Sequence, residues 1–237
     1  MSQKADENHE PVAEGDLGTR QRWLTITLAI CVLLASALLG AAGALLLVGA
    51  ERSGETSPNS ADVGFAQDMA RHHEQGVAMA SLARERSRDV DIRQLGFDIE
   101  RGQTEQMGRM RGWLGLWSQP TAPGGGHMSW MTSAGGHPRH SESHADTDRP
   151  IMPGMATPSE LERLRSMAGP EFDTFFLQLM IRHHQGGAPM MREAVARAAV
   201  GETRNLAARM LEAQTAEVDV MTRMLTERGG APLPPPT

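Results

Sequence analysis

The chain of 237 residues has no tyrosine, one cysteine and one lysine, and aromatic residues make up only 4 % of it. Each shortage excludes something. A lone cysteine, Cys31, rules out an internal disulfide framework and any cysteine-rich metal cluster. So few rings argue against a ring-packed β-sandwich, and no alternating strand pattern stands out beyond the first fifty residues. A formal net charge of -6 and a pI near 5.8 leave no basic face for neutralising phosphates, so nucleic acid is not expected as a partner. What is abundant is methionine, with 16 residues, and histidine, with nine. Thioethers and imidazoles are ligands for soft and borderline metal ions.

From Trp23 to Ala50 there is no charged residue. A helix crosses a bilayer with about 20 apolar residues, and this run is longer. The apolar region of a cleaved signal peptide is about 7–15 residues, so residues 23–50 read as an uncleaved transmembrane anchor, although Val48-Gly49-Ala50 resembles a weak cleavage site. Arg20 and Arg22 precede the run and Arg52 alone follows it closely. The positive-inside rule then leaves 1–22 as a cytoplasmic tail, expected to be disordered, and exports the remainder to the periplasmic or cell-surface side. Cys31 follows Ile30 rather than the small residue of a lipidation signal, and reads as a side chain packed in a lipid-facing helix. Residues 51–61 read as a tether.

The exported part repeats itself at an offset of 111 residues. Phe65-Ala-Gln-Asp-Met69-Ala-Arg-His72-His73 lies over Phe176-Leu-Gln-Leu-Met180-Ile-Arg-His183-His184, and 16 of the 50 positions in 65–114 are identical to their counterparts without a gap. Each unit reads as two amphipathic helices. Phe65, Met69, His72, Gly76, Met79 and Ala83 recur at steps of four and three, one face of a helix. A second apolar stripe beside it is strongest in the later copy, through Leu177, Ile181, His184, Ala188, Met191 and Val195. Gln67, Arg71 and Gln75, with Gln178, Arg182 and Gln185, read as the opposite, polar face. The second helices carry the stripes Ile92, Leu95, Ile99, Gln103, Met107, Met110, Leu114 and Leu206, Met210, Gln214, Val218, Met221, Leu225. Neither hairpin can bury a face alone, so the two together predict an all-α four-helix bundle over 62–228 behind one transmembrane helix. Repeat 1 spans 62–117 and repeat 2 spans 158–228. The linker 118–157, rich in Gly, Pro, Ser and His, reads as lacking any regular core element. Thr157-Pro158-Ser159-Glu160 predicts a capping box that starts a short helix. Gly169-Pro170 ends that helix, Pro189 is expected to kink the third bundle helix, and 229–237 reads as a Pro-rich tail.

Two histidine pairs on the buried side of one bundle are the feature to explain. A single histidine on an apolar face is ordinarily a satisfied core residue, but duplicated pairs flanked by methionine point to a metal site. The expected ligands are His72, His73, Met69 and Met79 from one copy and His183, His184, Met180 and Met190 from the other. Neighbouring histidines diverge by about 100° around a helix, so a useful site takes one histidine per copy, or one with a methionine from a facing helix. Met107, Met110, Met221 and Met224 read first as gap-filling core. Gln103 and Gln214 are the strongly polar residues within their stripes. Two readings stand for them: a shell that fixes the tautomer of a metal-bound imidazole, or plain satisfaction of a buried histidine. The linker adds His127, Met128, Met131, His137, His140, His144, Met152 and Met155, read as a metal trap or as a polar loop.

The duplicated Met-x-x-His-His, the segment Met152-Pro-Gly-Met155 with Glu160-Leu161, and the run Phe172-Asp173-x-x-Phe176-Leu-x-x-Met180 together resemble domain of unknown function family 305. The resemblance covers about 62–228. It implies a ferritin-like bundle, export, and for some members copper binding or tolerance. Carried onto this chain, it points to His72, His73, His183 and His184 with their methionines, and the soft ligands make Cu(I) the expected ion. A membrane-anchored Cu(I) protein for storage, buffering or delivery is therefore expected. The competing expectation is a non-enzymatic interaction module that docks on a membrane complex, its histidines structural or pH-responsive. A di-iron oxidase is disfavoured: no Glu-x-x-His occurs, and Asp68, Glu100 and Glu105 are matched by Leu179, Leu211 and Ala216. No serine or cysteine nucleophile motif is present, and an enzyme is not expected.

Overall fold

The periodic apolar stripes become helices in the computed structural model, which describes residues 16–52, 57–131 and 148–234. The expected tail over 1–15, the middle of the tether at 53–56, linker residues 132–147 with His137, His140 and His144, and the last three residues lie outside the described residues. The chain forms two compact units, 1–55 and 56–237. The first contains helix α1, Asp16–Arg52. Its segment Arg22–Ala44 has a mean hydropathy of 2.4 and is not buried inside the protein, so its length and composition suit a membrane anchor or a signal sequence.

The second unit is all helical. Asn59 caps α2, Ser60–Arg86, in a capping box with Asp62. Asp89 accepts from the amides of Asp91 and Ile92 to start α3, Val90–Leu116. Thr157 and Glu160 form the expected capping box, with Pro158 in the first turn of the short α4, Pro158–Ser166. Helix α5, Gly169–Arg197, continues through Pro189, and α6, Gly201–Glu227, follows. Helices α2 and α3 form one hairpin and α5 and α6 the other, joined along α2 and α5.

Helices α2 and α5 run antiparallel, as shown by what meets at their ends. Asn59 Nδ2 donates to the Arg197 carbonyl at 2.8 Å, and the buried Asp62 carboxylate accepts from the backbone amides of Ala199 and Val200 at 2.8 and 3.0 Å. Its repeat counterpart, Asp173, faces Ser87 at the turn of the first hairpin. The core divides accordingly. One cluster holds Phe65, Met69, Met110, Met190 and Met210; the other holds Met79, Ile99, Phe176, Met180 and Met221. Met69 thus shares a cluster with Met190 and Met79 with Met180, the crossing that a two-fold relation between antiparallel copies demands.

The duplication reaches past the identical residues. Both α3 and α6 end in a Schellman motif, with Ser118 at φ 54° and Gly229 at φ 70° in equivalent positions. The Gln119 amide bonds Leu114 at 2.8 Å and the Gly230 amide bonds Leu225 at 3.0 Å. The Gln67 side chain then donates to the Pro120 carbonyl and that of Gln178 to the Ala231 carbonyl, each at 2.7 Å. The expected polar face is therefore partly a fastening surface, and Gln67 is buried at 6 % exposure.

Both ends of the linker are also built into the bundle, contrary to the expectation from its composition. Trp130, in a short 3-10 turn at Ser129–Met131, is buried edge-on to Phe65 with ring centroids 6.3 Å apart. Asp68, fully buried, accepts from His127 Nδ1 at 2.6 Å, the Met128 amide at 2.7 Å and Trp130 Nε1 at 2.9 Å. At the other end Gln75 pairs with the amide and carbonyl of Ala156, at 2.6 and 3.0 Å, and Arg182 grips Glu160 through two bonds. Fixed side-chain partners, rather than local propensity, order these segments.

Candidate metal centre

The two histidine pairs lie midway along α2 and α5, and all four side chains are at most 1 % exposed. Adjacent residues on a helix point about 100° apart, and the pairs split accordingly. His72 and His183 meet across the α2–α5 interface, with ring centroids 3.8 Å apart and planes tilted by 33°. His73 and His184 turn instead toward the second helix of their own hairpins. His73 Nε2 lies 2.8 Å from Gln106 Oε1 on α3, and His184 Nε2 lies 2.7 Å from Glu217 Oε2 on α6.

These contacts assign the tautomers. His183 Nε2 is 3.0 Å from the His72 carbonyl, and His72 Nε2 is 3.4 Å from the Pro153 carbonyl. Carbonyl and carboxylate oxygens only accept, so in each neutral ring Nε2 donates and Nδ1 holds the lone pair. All four Nδ1 atoms are buried and have no hydrogen-bond partner. An unsatisfied buried polar group costs about 1–3 kcal/mol, and four in one layer is a cost that folding alone does not require. Burial disfavours protonation of His72, His73 and His183. It pushes His72 down to about 3, aided by neighbouring His73, and His73 down to about 4 against the raising effect of Gln106. His183 is held well below its ordinary range by burial and then by its three neighbours. The layer offers neutral imidazoles at His72, His73 and His183, and at His184 an Nδ1 equally without a partner.

The two glutamines expected to steer these rings do not bond them. Gln103 packs against Gly76, where a Cβ would come within 2.2 Å of its Oε1. Both amide atoms of Gln103 and Oε1 of Gln214 are buried without partners. The tautomer-fixing contacts belong to Gln106 and Glu217, each 33 residues after its histidine. The 111-residue offset already pairs those two positions, but a count of identities passes over a glutamine opposite a glutamate. Gly187 leaves an opening in the layer. A Cβ there would stand 3.3 Å from His72 Cε1, 3.7 Å from His72 Nδ1 and 3.6 Å from Gln214 Oε1. Two unpartnered atoms from different hairpins therefore converge beside a glycine.

Met69, Met79, Met180 and Met190 are fully buried, placed in the two apolar clusters and shared across the copies. Met152 and Met155 are buried too, at the ends of a strap across α5. Gly154, at φ 80°, lies so close to α5 that a Cβ would meet the Arg182 carbonyl at 2.5 Å and Gly186 Cα at 2.7 Å. That approach brings the Pro153 carbonyl to His72. Met128 and Met131 pack at the edge of the first cluster, and His127 belongs to Asp68 rather than to the histidine layer.

Among the described residues, no three His, Cys, Asp or Glu side chains converge as a metal cluster. Glu100 pairs with Arg84 and Glu105 with Arg109 on the surface, away from the layer. What the layer supplies is imidazole nitrogen with thioethers along the same helices, a donor set that fits a soft ion and lacks the four harder ligands usual for zinc.

These features place the chain in a family of duplicated-hairpin bundles. Residues 62–225 match the Domain of unknown function (DUF305), and the chain belongs to this family. A DUF305 protein of Streptomyces coelicolor is 37 % identical with a TM-score of 0.64, over 73 % of this chain and 97 % of that one. A DUF305 fragment from Deinococcus radiodurans is 32 % identical with a TM-score of 0.56, over 72 % of this chain and 98 % of that one. The Cu(I)-bound form of CopM shares the fold at 22 % identity and a TM-score of 0.52, over 71 % of this chain and 98 % of that one. No curated protein matches the chain.

Proposed function

We propose that this protein is a membrane-anchored, extracytoplasmic binder of Cu(I) that stores, buffers or delivers the ion, with α1 as its anchor. One observation carries the reading: four buried imidazoles, each bonded through Nε2, leave four Nδ1 atoms without partners in one layer. His72 and His183 form the inner pair, His73 and His184 the outer pair, and Met69, Met79, Met180 and Met190 supply thioether donors on the same two helices. CopM, a protein of this fold, is known in Cu(I)-bound and Cu(II)-bound forms, which supports the choice of metal.

The test is a Cu(I) competition titration against a chromogenic chelator. The parent should hold at least one Cu(I) per chain. Replacing His72 and His183 together with Gln should weaken Cu(I) far more than Zn(II) while the helical circular dichroism persists, since Gln is a fair helix former. If that double variant binds as the parent does while replacing His137, His140 and His144 with Ala abolishes binding, the linker is the site. A second reading draws on the same contacts: every imidazole has one protein acceptor, as structural histidines in an interaction module would. Purified protein that carries no metal and co-purifies with a stoichiometric partner would favour it.

A further inference from the structure

We infer that Glu217 sets the charge of the ion this centre accepts, matching it to a monovalent rather than a divalent cation. The inference rests on the metal-binding reading above and concerns selectivity within it. A cation entering a buried layer of imidazoles needs a compensating charge, because an unpaired buried charge is strongly unfavourable. Among the described residues, one carboxylate touches an imidazole of the layer: Glu217 Oε2, 2.7 Å from His184 Nε2. The equivalent contact in the other copy is made by the uncharged Gln106, 2.8 Å from His73 Nε2.

The other acids near the layer are engaged elsewhere. Asp68, one turn before His72, accepts from three donors of the linker. Glu74 pairs with Arg71 and Arg111. Arg182, beside His183 in sequence, is matched by Glu160. Glu217 thus supplies the one formal negative charge in contact with the layer among the described residues. A monovalent soft ion neutralises that charge, whereas a divalent ion leaves one positive charge uncompensated. The carboxylate also strengthens His184 as an electron-pair donor, because accepting a hydrogen bond from Nε2–H enriches the ring at Nδ1. Glu217 is therefore a positioning and charge-matching residue: it acts on the ion through His184.

The full chain in detergent micelles, with Glu217→Gln, Gln106→Glu and the combined exchange, tests this with Cu(I), Ag(I) and Zn(II) in competition titrations, alongside thermal melts. E217Q keeps an acceptor for His184 but removes its charge, and should weaken Cu(I) and Ag(I) by roughly 10–100-fold, the usual range for altering a ligand's outer partner. Q106E should raise Zn(II) relative to Cu(I), and the exchange variant should recover monovalent binding, because the charge is restored on the other hairpin. Parent-like Cu(I) and Ag(I) affinity in E217Q overturns the inference while leaving the metal-binding reading intact. An unchanged Zn(II)-to-Cu(I) ratio in Q106E overturns it equally, and does so even if E217Q fails to fold. A parent protein that takes up neither Cu(I) nor Ag(I) overturns the reading and the inference together.

Discussion

The two hairpins agree in one set of positions and part in another. His72-His73 and His183-His184, the glycines Gly76 and Gly187, the Schellman ends at Ser118 and Gly229, and the pins Gln67 and Gln178 all repeat. The copies diverge on the side of the first helix that seats the linker. Gly64 leaves room for Trp130, whereas its counterpart Phe175 carries a ring of its own, which lies under Arg163 at 4.3 Å. Asp68 holds the loop at 127–130, whereas Leu179 is core. Gln75 pairs with Ala156, whereas Gly186 lets the strap at Pro153-Gly154 approach the backbone. A duplicated frame can repeat its centre, but a linker that occurs once must dock differently on each copy. Divergence at these positions therefore reflects packing, while the difference between Gln106 and Glu217 touches the centre itself.

The largest expected effect tests the shared part. His72 and His73 stay neutral in the fold down to about 3 and 4, whereas in the unfolded chain they protonate near 6.5. The unfolded state then binds more protons, so stability is complete above pH 6.5 and is lost as pH falls toward those folded values. Each histidine contributes roughly 1.4 kcal/mol per pH unit within that window, so the metal-free protein should lose about 4 kcal/mol between pH 7.5 and 5. Denaturant titrations at several pH values read this directly, and a flat profile would contradict a neutral layer.

Next come the divergent positions. Gly186→Ala sets a Cβ 2.2 Å from the Pro153 carbonyl oxygen and 2.5 Å from Gly154 Cα, backbone against backbone. A loss of about 3 kcal/mol is expected, at the upper end of ordinary overpacking. Gly102→Ala on α3, facing open space, should instead gain about 0.5–1 kcal/mol. Equal stability for the two variants would mean that the strap does not lie on α5.

Asp68→Leu makes the first copy resemble the second at one position. It strands Trp130 Nε1 and the Met128 amide, at a cost of about 2 kcal/mol, and Trp130 emission should shift to the red as the turn loosens. Unchanged stability and fluorescence would show the loop to be held by other contacts.

The smallest effect on stability is expected from Gly187→Ala. Its Cβ would be 3.3 Å from His72 Cε1, a tight contact that offsets the gain in helix propensity. The net change should stay within about 1 kcal/mol. Cu(I) affinity should nevertheless fall, because the methyl occupies the opening beside His72 Nδ1 and Gln214 Oε1. Parent-like affinity would place the ion away from that opening.

Much of this was legible in the residues alone. Apolar steps of four and three encode helices whatever surrounds them, and a 111-residue offset without gaps leaves little choice but paired hairpins. The capping box at Thr157 and Glu160 is equally local, and so is the uncharged run that became α1. Composition misled at the linker, because Asp68 and Trp130 are 62 residues apart and no local pattern announces that they bond. It misled likewise at Gln103 and Gln214, where polarity within a stripe marked burial but not a partner.

The sequence by itself determined the helices, their pairing and the presence of four histidines on buried faces, because those follow from short-range periodicity and from duplication. Only the tertiary structure decided that His72 meets His183 while His73 and His184 turn to Gln106 and Glu217. It also decided which ring nitrogen is free and where the strap runs. Those outcomes depend on the rotation and register of one helix against another and on the path of a linker across both. They are settled when side chains distant in the chain compete for the same buried space, and no single segment carries that information.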